Sequence, residues 1–294
     1  FLSALLLVWW FPFEQKGLGL QFLSAKQLTG FCVGGFIAWA LGFCDDIFLM
    51  RARWKLVGQI GIAFLMIEFG FKINTIQIPF FQLLNLGLWS WPLTILWIVG
   101  VMNAINLVDG LDGLASGLSI VTLIFLSLIC WWQAQLSLLL LIMILGGATI
   151  GFWSFNRPPA SIFMGDSGSL FLGFALSVLS IWVLGATPTG LSIFPILIMA
   201  IPILDTTFSV FRRLLKGIPF YSADNDHLHH RLISKGFSPT QAMVVLIIIS
   251  ALFSGLSLMA YRWSHLQGFA FLGGIIIAYM LLYWLEYDVI RSPF

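Results

Sequence analysis

The residues best suited to chemistry are aspartates, asparagines and histidines in four short motifs that separate long apolar stretches. The first motif is the adjacent pair Asp45 and Asp46, which follows an apolar run. Neighbouring side chains on a helix point about 100° apart, so two adjacent carboxylates can serve different partners. Carboxylates are unfavourable for the helix dipole at a C-terminal end. The pair is therefore more typical of a functional site than of a solvated helix end, which is the alternative.

The second motif is a run in which polar residues recur at every third position, from Asn103 through Asn106 and Asp109 to Asp112. On a continuous helix this spacing drifts by about 60° per step, which would spread the side chains around the helix. The glycines that follow Asp109 and Asp112 allow the backbone to break. We expect the amides and carboxylates to converge in one pocket. An ordinary turn built from Asn, Asp and Gly is the alternative.

The third motif places Asp166 among small residues at the start of an apolar run. Gly165 and Gly168 permit close backbone approach, and the start of the following helix favours an anion. This pattern indicates a phosphate or metal site. Its alternative is a helix N-cap, and one aspartate can serve both purposes.

The fourth motif lies in the polar stretch 211–241, which contains His227, His229 and His230, followed by Arg231. On a short helix His227, His230 and Arg231 share one face, an arrangement suited to phosphate oxygens or to a metal. The pattern of a zinc hydrolase, two histidines four residues apart beside a glutamate, is absent from this stretch. Phosphate contact is therefore favoured over zinc binding, and a solvated loop with incidental histidines is the alternative.

Composition shows which solvent surrounds these motifs. Of the 294 residues, 60% are hydrophobic and 9% are charged, which is typical of a membrane protein. A helix needs roughly 20 apolar residues to cross a bilayer with its backbone satisfied. We predict one domain, 1–294, that is all-α and integral to the membrane, a polytopic bundle of about ten transmembrane helices. The predicted spans are 28–44, 56–71, 91–107, 114–131, 137–155, 168–187, 190–210, 241–260 and 268–286, after a shorter apolar start at 1–13.

The distribution of charge predicts the orientation of these spans. Basic residues gather on the side of the four motifs, which positive-inside statistics assign to the cytoplasm; they are Arg51, Arg53, Lys55, Arg157, Arg212, Arg213, Lys216, Arg231, Lys235 and Arg291. The opposite side holds Lys16, Lys26, Lys72 and Arg262. A net charge of +2 without a basic stripe argues against nucleic acid binding. The three widely spaced cysteines fit neither a disulfide framework nor a zinc site.

Most carboxylates fall on the same predicted side as the motifs. A buried aspartate at the bilayer centre costs on the order of 3 kcal/mol, so a cluster of them must face water, metal or substrate. Such a cluster would repel a phosphate unless divalent cations or basic side chains intervened. Asp205 lies near the end of a span, about two turns before Arg212. Its position is equally consistent with a buried ion pair to a loop arginine and with a catalytic role.

Taken together, the four motifs resemble those of the polyprenyl-phosphate N-acetylhexosamine-1-phosphate transferase superfamily, in the family's order and over about residues 28–286. The His-Leu-His-His segment, together with the aspartate pair and the loop that runs on into Arg53 and Lys55, looks like the branch that starts O-antigen, enterobacterial common antigen or teichoic acid linkage. The resemblance implies transfer of sugar 1-phosphate from a UDP-sugar to undecaprenyl phosphate with release of UMP, at the cytoplasmic face of the bacterial inner membrane, with Mg²⁺ or alternatively Mn²⁺ as cofactor. A homodimer is compatible with the sequence.

The resemblance also implies roles for individual residues. Asp166 is the expected metal ligand, with Asp46 as a second metal contact. The expected catalytic residues are Asp45, Asp46, Asp109, Asp112 and His229. The expected substrate-binding residues are Asn103, Asn106, Phe163, which stacks on uracil, Arg212, His227, His230 and Arg231.

One departure from the family pattern is that an N-terminal span and a basic loop usually present before the first motif are not visible, so we expect a truncated start. The polar stretch at 211–240 forms the His/Arg loop within the domain. Two other functions compete with the transferase. A transporter could use Asp205 and broken polar helices as an ion path. The segment that begins at Asp112 resembles the signature of CDP-alcohol phosphotransferases but lacks its arginine.

Overall fold

A computed structural model describes residues 23–77, 83–185, 191–192, 194–215, 217 and 227–285. Its helices are α1 Ala25–Phe48, α2 Ala52–Glu68, α3 Ser90–Val108, α4 Leu114–Trp132, α5 Leu136–Asn156, α6 Gly165–Gly185, α7 Phe194–Ile198, α8 Ala200–Leu215, α9 Leu228–Ser234, α10 Pro239–Arg262 and α11 Gln267–Trp284. Two 3₁₀ turns, Gly87–Trp89 and Ser264–Leu266, precede α3 and α11. The predicted apolar start at 1–13 lies outside the described residues.

The predicted fold class is confirmed, because seven helices in the described part of the chain are long and apolar enough to cross a membrane. They are α1, α3 with its preceding turn, α4, α5, α6, α10 and α11. The predicted span 56–71 corresponds to α2, which ends earlier, at Glu68, and has 17 residues. The chain is a multi-pass helical membrane protein.

The predicted span 190–210 differs from the structure, where helix is interrupted at Met199 between α7 and α8. Pro202 has no N–H to donate to the carbonyl of Ile198, so that carbonyl lacks its helical partner. The hydroxyl of Ser254 on α10 lies 3.3 Å from it, while its shorter contact, at 2.8 Å, is with the carbonyl of Ser250 on its own helix. The hydroxyl of Ser257, also on α10, donates to the carbonyl of Phe194 at 3.1 Å. Serines of α10 thus place hydroxyl groups beside backbone carbonyls of α7, where lipid offers no donor.

A small sheet lies at the end of the bundle opposite to the four motifs. Strands β1 Thr75–Gln77 and β2 Leu83–Asn85 pair antiparallel, with Thr75 opposite Asn85. Strand β3 Leu191–Ser192 pairs parallel with β1. The sheet connects the outer ends of α2, α3 and α7.

The central helix is α6, against which α1, α3 and α4 pack. Its close approach to α1 depends on Gly42, which has the backbone of Asp166 and Ser167 directly above it. A Cβ atom at position 42 would lie 2.5 Å from the Cα of Ser167, far inside van der Waals contact. The absence of a side chain at position 42 therefore lets the end of α1, with its two aspartates, reach the start of α6.

We predict that Gly42→Ala destabilises the protein by about 1–3 kcal/mol, because backbone atoms cannot move aside as a side chain can. The measurement is thermal unfolding of detergent-solubilised protein. Gly61→Ala on α2 is the matched control, since a Cβ there meets nothing within 4 Å. Equal melting temperatures for the two variants would contradict the close packing of α1 on α6.

Candidate active site

Residues of the second, third and fourth motifs line one cavity of about 1130 Å³ at one end of the helical bundle. Asp45 of the first motif does not line it and reaches its wall through Lys55. The cavity lies between α2, α3, α8 and α9, and one part of its wall is polar while the rest is apolar. The polar part is lined by Lys55, Asn103, Asn106, Asp109, Asp166, Arg213, His227, His229 and His230. Residues far apart in the chain thus share one chamber, as the motif spacing predicted.

The ammonium group of Lys55 is the meeting point of the first three motifs. It lies 2.9 Å from Oδ2 of Asp45 and forms an ion pair with Asp166. It also donates to Oδ1 of Asn106 at 3.1 Å. Two carboxylates and an amide oxygen from three helices therefore converge on a single cationic group. Sequence analysis assigned Lys55 no role in the site; its position in the first turn of α2, soon after the aspartate pair, was the available signal.

Asn106 and Asp166 are joined directly, since the amide of Asn106 donates to Oδ1 of Asp166 at 2.8 Å. The same amide nitrogen lies 2.8 Å from the hydroxyl of Ser169. These bonds fix the last turn of α3 against the first turn of α6. Both predicted site residues therefore face the cavity in a defined orientation.

Asp46 holds the start of α6. Its Oδ1 accepts from the backbone N–H of Asp166 at 2.8 Å, and its Oδ2 accepts from the N–H and hydroxyl of Ser167 at 3.0 and 2.6 Å. A carboxylate is favourable at a helix N-terminus, where backbone donors are unpaired. Gly165 enters the helix with a φ of 64°, which suits glycine. In this structure Asp46 thus serves as an N-cap supplied by another helix, and Asp45 is the member of the pair that faces Lys55.

Asn103 and Asp112 make contacts that hold neighbouring segments together. The amide of Asn103 donates to the side chain of Gln59 at 2.7 Å, and Gln59 donates back at 3.3 Å. Gln59, which is fully buried, was not identified from the sequence. Asp112 accepts from the backbone N–H of Ala160 at 3.1 Å and so ties the α3–α4 turn to the α5–α6 loop. Asp112 does not line the cavity.

The α3–α4 turn is also supported from behind by Asn156, another residue that sequence analysis did not single out for the site. Its Oδ1 accepts from the N–H of Gly113 at 3.2 Å and from the hydroxyl of Ser116 at 2.8 Å. Gly113 has a φ of 72° and breaks the chain between α3 and α4, as its position predicted. A buried amide with satisfied bonds on both sides fixes the turn that carries Asp109.

Asp109 lies in this turn among other carboxylates. Burial, together with the negative charges of Asp166, Asp112 and Asp46, raises the pKa of Asp109 from 3.8 to about 7. The raised pKa follows from desolvation and like-charge repulsion acting in the same direction. A cation or a hydrogen-bond acceptor brought into the cavity would therefore change the protonation of this group.

The histidines lie on the opposite wall, where His227 precedes the short helix α9. The rings of His227 and His229 are parallel, with centroids 5.8 Å apart, and those of His229 and His230 are 4.2 Å apart. Burial and the neighbouring His230 lower the pKa of His229 to about 4, so His229 is neutral. Its Nε2 has no hydrogen-bond partner among the described residues. A buried ring nitrogen without a partner is available to a ligand.

Three predicted substrate-binding residues are placed outside the cavity wall. Phe163 lies in the α5–α6 loop with 76% of its surface exposed, so uracil stacking on it would occur at the cavity's outer edge. Arg212 is buried on α8, whereas its neighbour Arg213 lines the cavity. Arg231 lies on α9 behind the histidines. Which side of a helix an arginine occupies depends on helix rotation, which the sequence does not specify.

The donor set around Lys55 fits the divalent cation that the family resemblance implies. Asp45, Asp166 and Asn106 supply hard oxygen donors, and they already surround a positive charge. Mg²⁺ is commonly bound by one or two carboxylates together with water and substrate phosphates. Within the described residues no group of three or more His, Cys, Asp or Glu side chains is arranged to hold a metal by itself. The arrangement therefore suits a cation shared with a phosphate substrate rather than a closed structural metal site.

We predict that Asp109→Asn raises the melting temperature of the protein in EDTA by a few degrees at pH 8 and by less at pH 5. Because the folded pKa of about 7 exceeds the ordinary 3.8, ionised Asp109 destabilises the fold fully above pH 7 and progressively less toward pH 4. Asparagine removes this cost. The control is Glu68→Gln, an exposed carboxylate at the other end of the bundle. A gain that is the same at both pH values would contradict the raised pKa.

Comparison with known proteins identifies the family. The chain is 41% identical over 233 residues to a probable undecaprenyl-phosphate N-acetylglucosaminyl 1-phosphate transferase of Bacillus subtilis, covering 79% of this chain and 65% of that protein. It is 31% identical over 236 residues to the undecaprenyl-phosphate alpha-N-acetylglucosaminyl 1-phosphate transferase of Escherichia coli K12, covering 76% and 63%. A decaprenyl-phosphate N-acetylglucosaminephosphotransferase of Mycolicibacterium smegmatis is 31% identical over 272 residues, covering 84% and 65%.

These relatives are longer than this chain, which spans slightly less than two thirds of their length. The model of glycosyl transferase family 4 matches residues 28–184, which include the Asp45, Asn106 and Asp166 motifs. The superfamily resemblance predicted from the motifs is confirmed. With the match covering more than half of its residues, the chain belongs to glycosyl transferase family 4.

Proposed function

We propose that this chain transfers N-acetylglucosamine 1-phosphate from UDP-N-acetylglucosamine to a polyprenyl phosphate and releases UMP. One observation carries the proposal: Asp45 and Asp166, from separate helices, both pair with the ammonium group of Lys55 at the polar end of a cavity whose remaining wall is apolar. A reaction between an anionic nucleotide sugar and an anionic lipid needs this combination of surfaces. The printed names of the relatives agree with the proposal.

The polar end of the cavity suits the diphosphate of the donor. In the proposed reaction a phosphate oxygen of the lipid attacks the β-phosphorus of the nucleotide sugar. The bond from that phosphorus to the bridging oxygen breaks, and UMP leaves with the electron pair. The second pKa of a phosphate monoester is about 6, so the acceptor is largely ionised at neutral pH. Alignment of the two phosphates and neutralisation of their charge are then the main demands on the protein.

The residues around Lys55 are placed to meet these demands. Asp45 and Asp166, with Asn106 beside them, would hold Mg²⁺, which supplies positive charge to phosphate oxygens when it is bound. The ammonium group of Lys55 adds a second positive charge on the same wall. Across the cavity Nε2 of His229, which has no partner within the described part of the chain, is available to donate to, or accept from, the donor substrate. Neutral histidine beside two cations avoids adding further charge to a buried site.

The apolar part of the cavity suits the acceptor's hydrocarbon chain. It extends between α3 and α8 from the polar end toward the β1 strand at the other end of the bundle, and is lined by Ile73, Ile76, Leu93, Leu96, Ile203, Val210 and Leu214. A wall of this kind binds apolar chains by removing their surface from water and by close packing. A lipid phosphate could therefore place its headgroup beside Lys55 while its chain remains at membrane depth.

The site is proposed to face the cytoplasm. Among the described residues its end of the bundle carries Arg51, Arg53, Lys55, Arg157, Arg212, Arg213, Arg231 and Lys235. The other end carries Lys26, Lys72 and Arg262. An excess of basic residues in short loops marks the cytoplasmic side of membrane proteins. In a bacterium this corresponds to the inner membrane, where UDP-sugars are accessible.

The proposal predicts that purified protein with undecaprenyl phosphate, UDP-N-acetylglucosamine and Mg²⁺ releases UMP and forms a lipid-linked sugar diphosphate. Asp166→Asn should lower this rate on the order of 10²-fold or more, because it removes a charged ligand for the cation that stabilises developing charge. Glu68→Gln is the matched control and should keep the wild-type rate. UMP release by Asp166→Asn at the wild-type rate, or no UMP release by the wild type, would contradict the proposal.

A second prediction concerns the acceptor's chain. Gly100 lines the apolar wall, and a Cβ there would meet nothing within 4 Å, so a larger side chain enters the cavity without displacing protein atoms. Gly100→Leu should raise the KM for undecaprenyl phosphate at least about 5-fold. The leucine side chain would occupy apolar surface whose contact with the lipid chain contributes about 1–3 kcal/mol to binding. The KM for UDP-N-acetylglucosamine should not change.

The matched control for this prediction is Gly147→Leu on α5, where a Cβ also meets nothing within 4 Å and the residue is exposed outside the cavity. Both KM values should stay at the wild-type level in this variant. If Gly100→Leu changed the KM for the nucleotide sugar instead of that for the lipid, the apolar wall would not be the site of the acceptor's chain.

A further inference from the structure

Asp205 is a buried carboxylate outside the group of residues around Lys55. It lies on α8 with 1% of its surface exposed. From sequence alone, pairing with a loop arginine and a catalytic role were equally consistent with its position. Among the described contacts, both carboxylate oxygens are directed instead at the start of α9, the segment that carries the histidines.

The contacts of Asp205 involve one side chain and one backbone group. Its Oδ2 lies 3.0 Å from Nδ1 of His227, and its Oδ1 accepts from the backbone N–H of Leu228 at 2.9 Å. Leu228 is the first residue of α9, and His227 is the N-cap residue, whose own side chain does not cap the helix. Asp205 therefore supplies from α8 the cap that α9 lacks, with a charge that favours a helix N-terminus.

The hydrogen bond to Asp205 also determines where His227 carries its proton. A carboxylate only accepts hydrogen bonds, so the hydrogen of this contact belongs to Nδ1 of the imidazole. The neutral ring then has its lone pair on Nε2. Asp205 thus sets both the orientation of the ring and the nitrogen that can accept a proton or a hydrogen bond.

The hydrogen bond between Asp205 and His227 also constrains the rest of the histidine segment. His227 lies parallel to His229, and His229 packs against Gly110, where a Cβ would be 3.3 Å from its Nε2. All three histidine rings line the cavity opposite Asn106 and Asp109. A carboxylate on α8 therefore fixes the distance between the histidine wall and the turn that carries Asp109.

We propose that Asp205 is a positioning residue that acts through His227: it fixes the Nδ1-protonated form of that ring and the first turn of α9, and so directs the histidines at the phosphates of the donor. This inference rests on the proposed transferase function. Asp205 itself is buried and does not line the cavity. Its effect on the reaction passes through the ring of His227, and this distinguishes it from a residue that only stabilises the fold.

The test compares Asp205→Asn with His227→Ala and with the double variant. Asparagine has nearly the shape of aspartate, so its oxygen can still accept from Leu228 while its amide N–H faces Nδ1 of His227. The ring must then carry its hydrogen on Nε2. We expect kcat for UMP release to fall on the order of 10-fold to 100-fold, as for other residues that orient a functional histidine, with the melting temperature close to that of the wild type.

The double variant separates positioning from stability. If Asp205 acts through His227, then Asp205→Asn should lower kcat by less than about 2-fold when His227 is already alanine, because the effects of coupled residues do not add. Multiplicative loss in the double variant would overturn the inference. Loss of kcat accompanied by an equal loss of folded protein in Asp205→Asn would also overturn it, since a structural role would then suffice.

A second readout does not depend on the transferase reaction. In ¹⁵N-histidine-labelled protein, which has four histidines, the resonances of His227 are those absent from His227→Ala. Nδ1 should be protonated in the wild type and Nε2 in Asp205→Asn, whereas an unchanged tautomer would overturn the inference.

If Asp205→Asn does not fold, Asp205→Glu takes its place. In that variant Nδ1 of His227 should stay protonated, and kcat should fall because the ring is displaced; an unchanged kcat would count against positioning. Absence of UMP release by the wild type would refute the transferase function, while the tautomer would still test the contact.

Discussion

Repulsion among carboxylates at the edge of the membrane is the constraint on which the rest of this structure depends. Asp45, Asp109 and Asp166 lie at the ends of three different helices, α1, α3 and α6, and meet where lipid and protein limit access to water. Without a compensating cation, repulsion between these carboxylates would push the helices apart, or the carboxyl groups would stay protonated. The ammonium group of Lys55 supplies that charge between Asp45 and Asp166. Close packing of α1 on α6 at Gly42 then becomes possible, and the apolar spans can hold a charged site at their end.

The aspartates of the motifs therefore differ in what they do, although their spacing makes them look alike. Asp46 caps α6, Asp112 ties two loops together, and Asp205 holds the start of α9. Asp45 and Asp166 both pair with Lys55. A bundle of apolar helices offers few hydrogen bonds between its elements, so a carboxylate that accepts backbone N–H groups is an effective way to fix one helix end against another. Such carboxylates set the geometry around the ion pairs of Lys55.

The sequence predicted most of the membrane spans, although about ten were expected and seven helices of the described residues are long and apolar enough to cross a membrane. It also predicted the break at Gly113 and the gathering of the motifs at one end, because each depends on local composition or on the direction of the chain. It did not predict the interruption between α7 and α8, where Pro202 leaves the carbonyl of Ile198 without its helical partner. Nor did it assign a role to Lys55 or connect Asp205 with His227. These features depend on how helices rotate and tilt against one another, and apolar residues on every side of a span give little indication of rotation.

The claim that Asp45 and Asp166 share a divalent cation can be measured directly by Mn²⁺ electron paramagnetic resonance on the purified protein in the presence of UMP. We predict that wild-type protein and Glu68→Gln bind Mn²⁺ with the same affinity, and that Asp166→Asn binds it at least about 10-fold more weakly, since a charged ligand contributes more than about 1.4 kcal/mol. Equal Mn²⁺ affinity in all three proteins would contradict binding of the cation by Asp166.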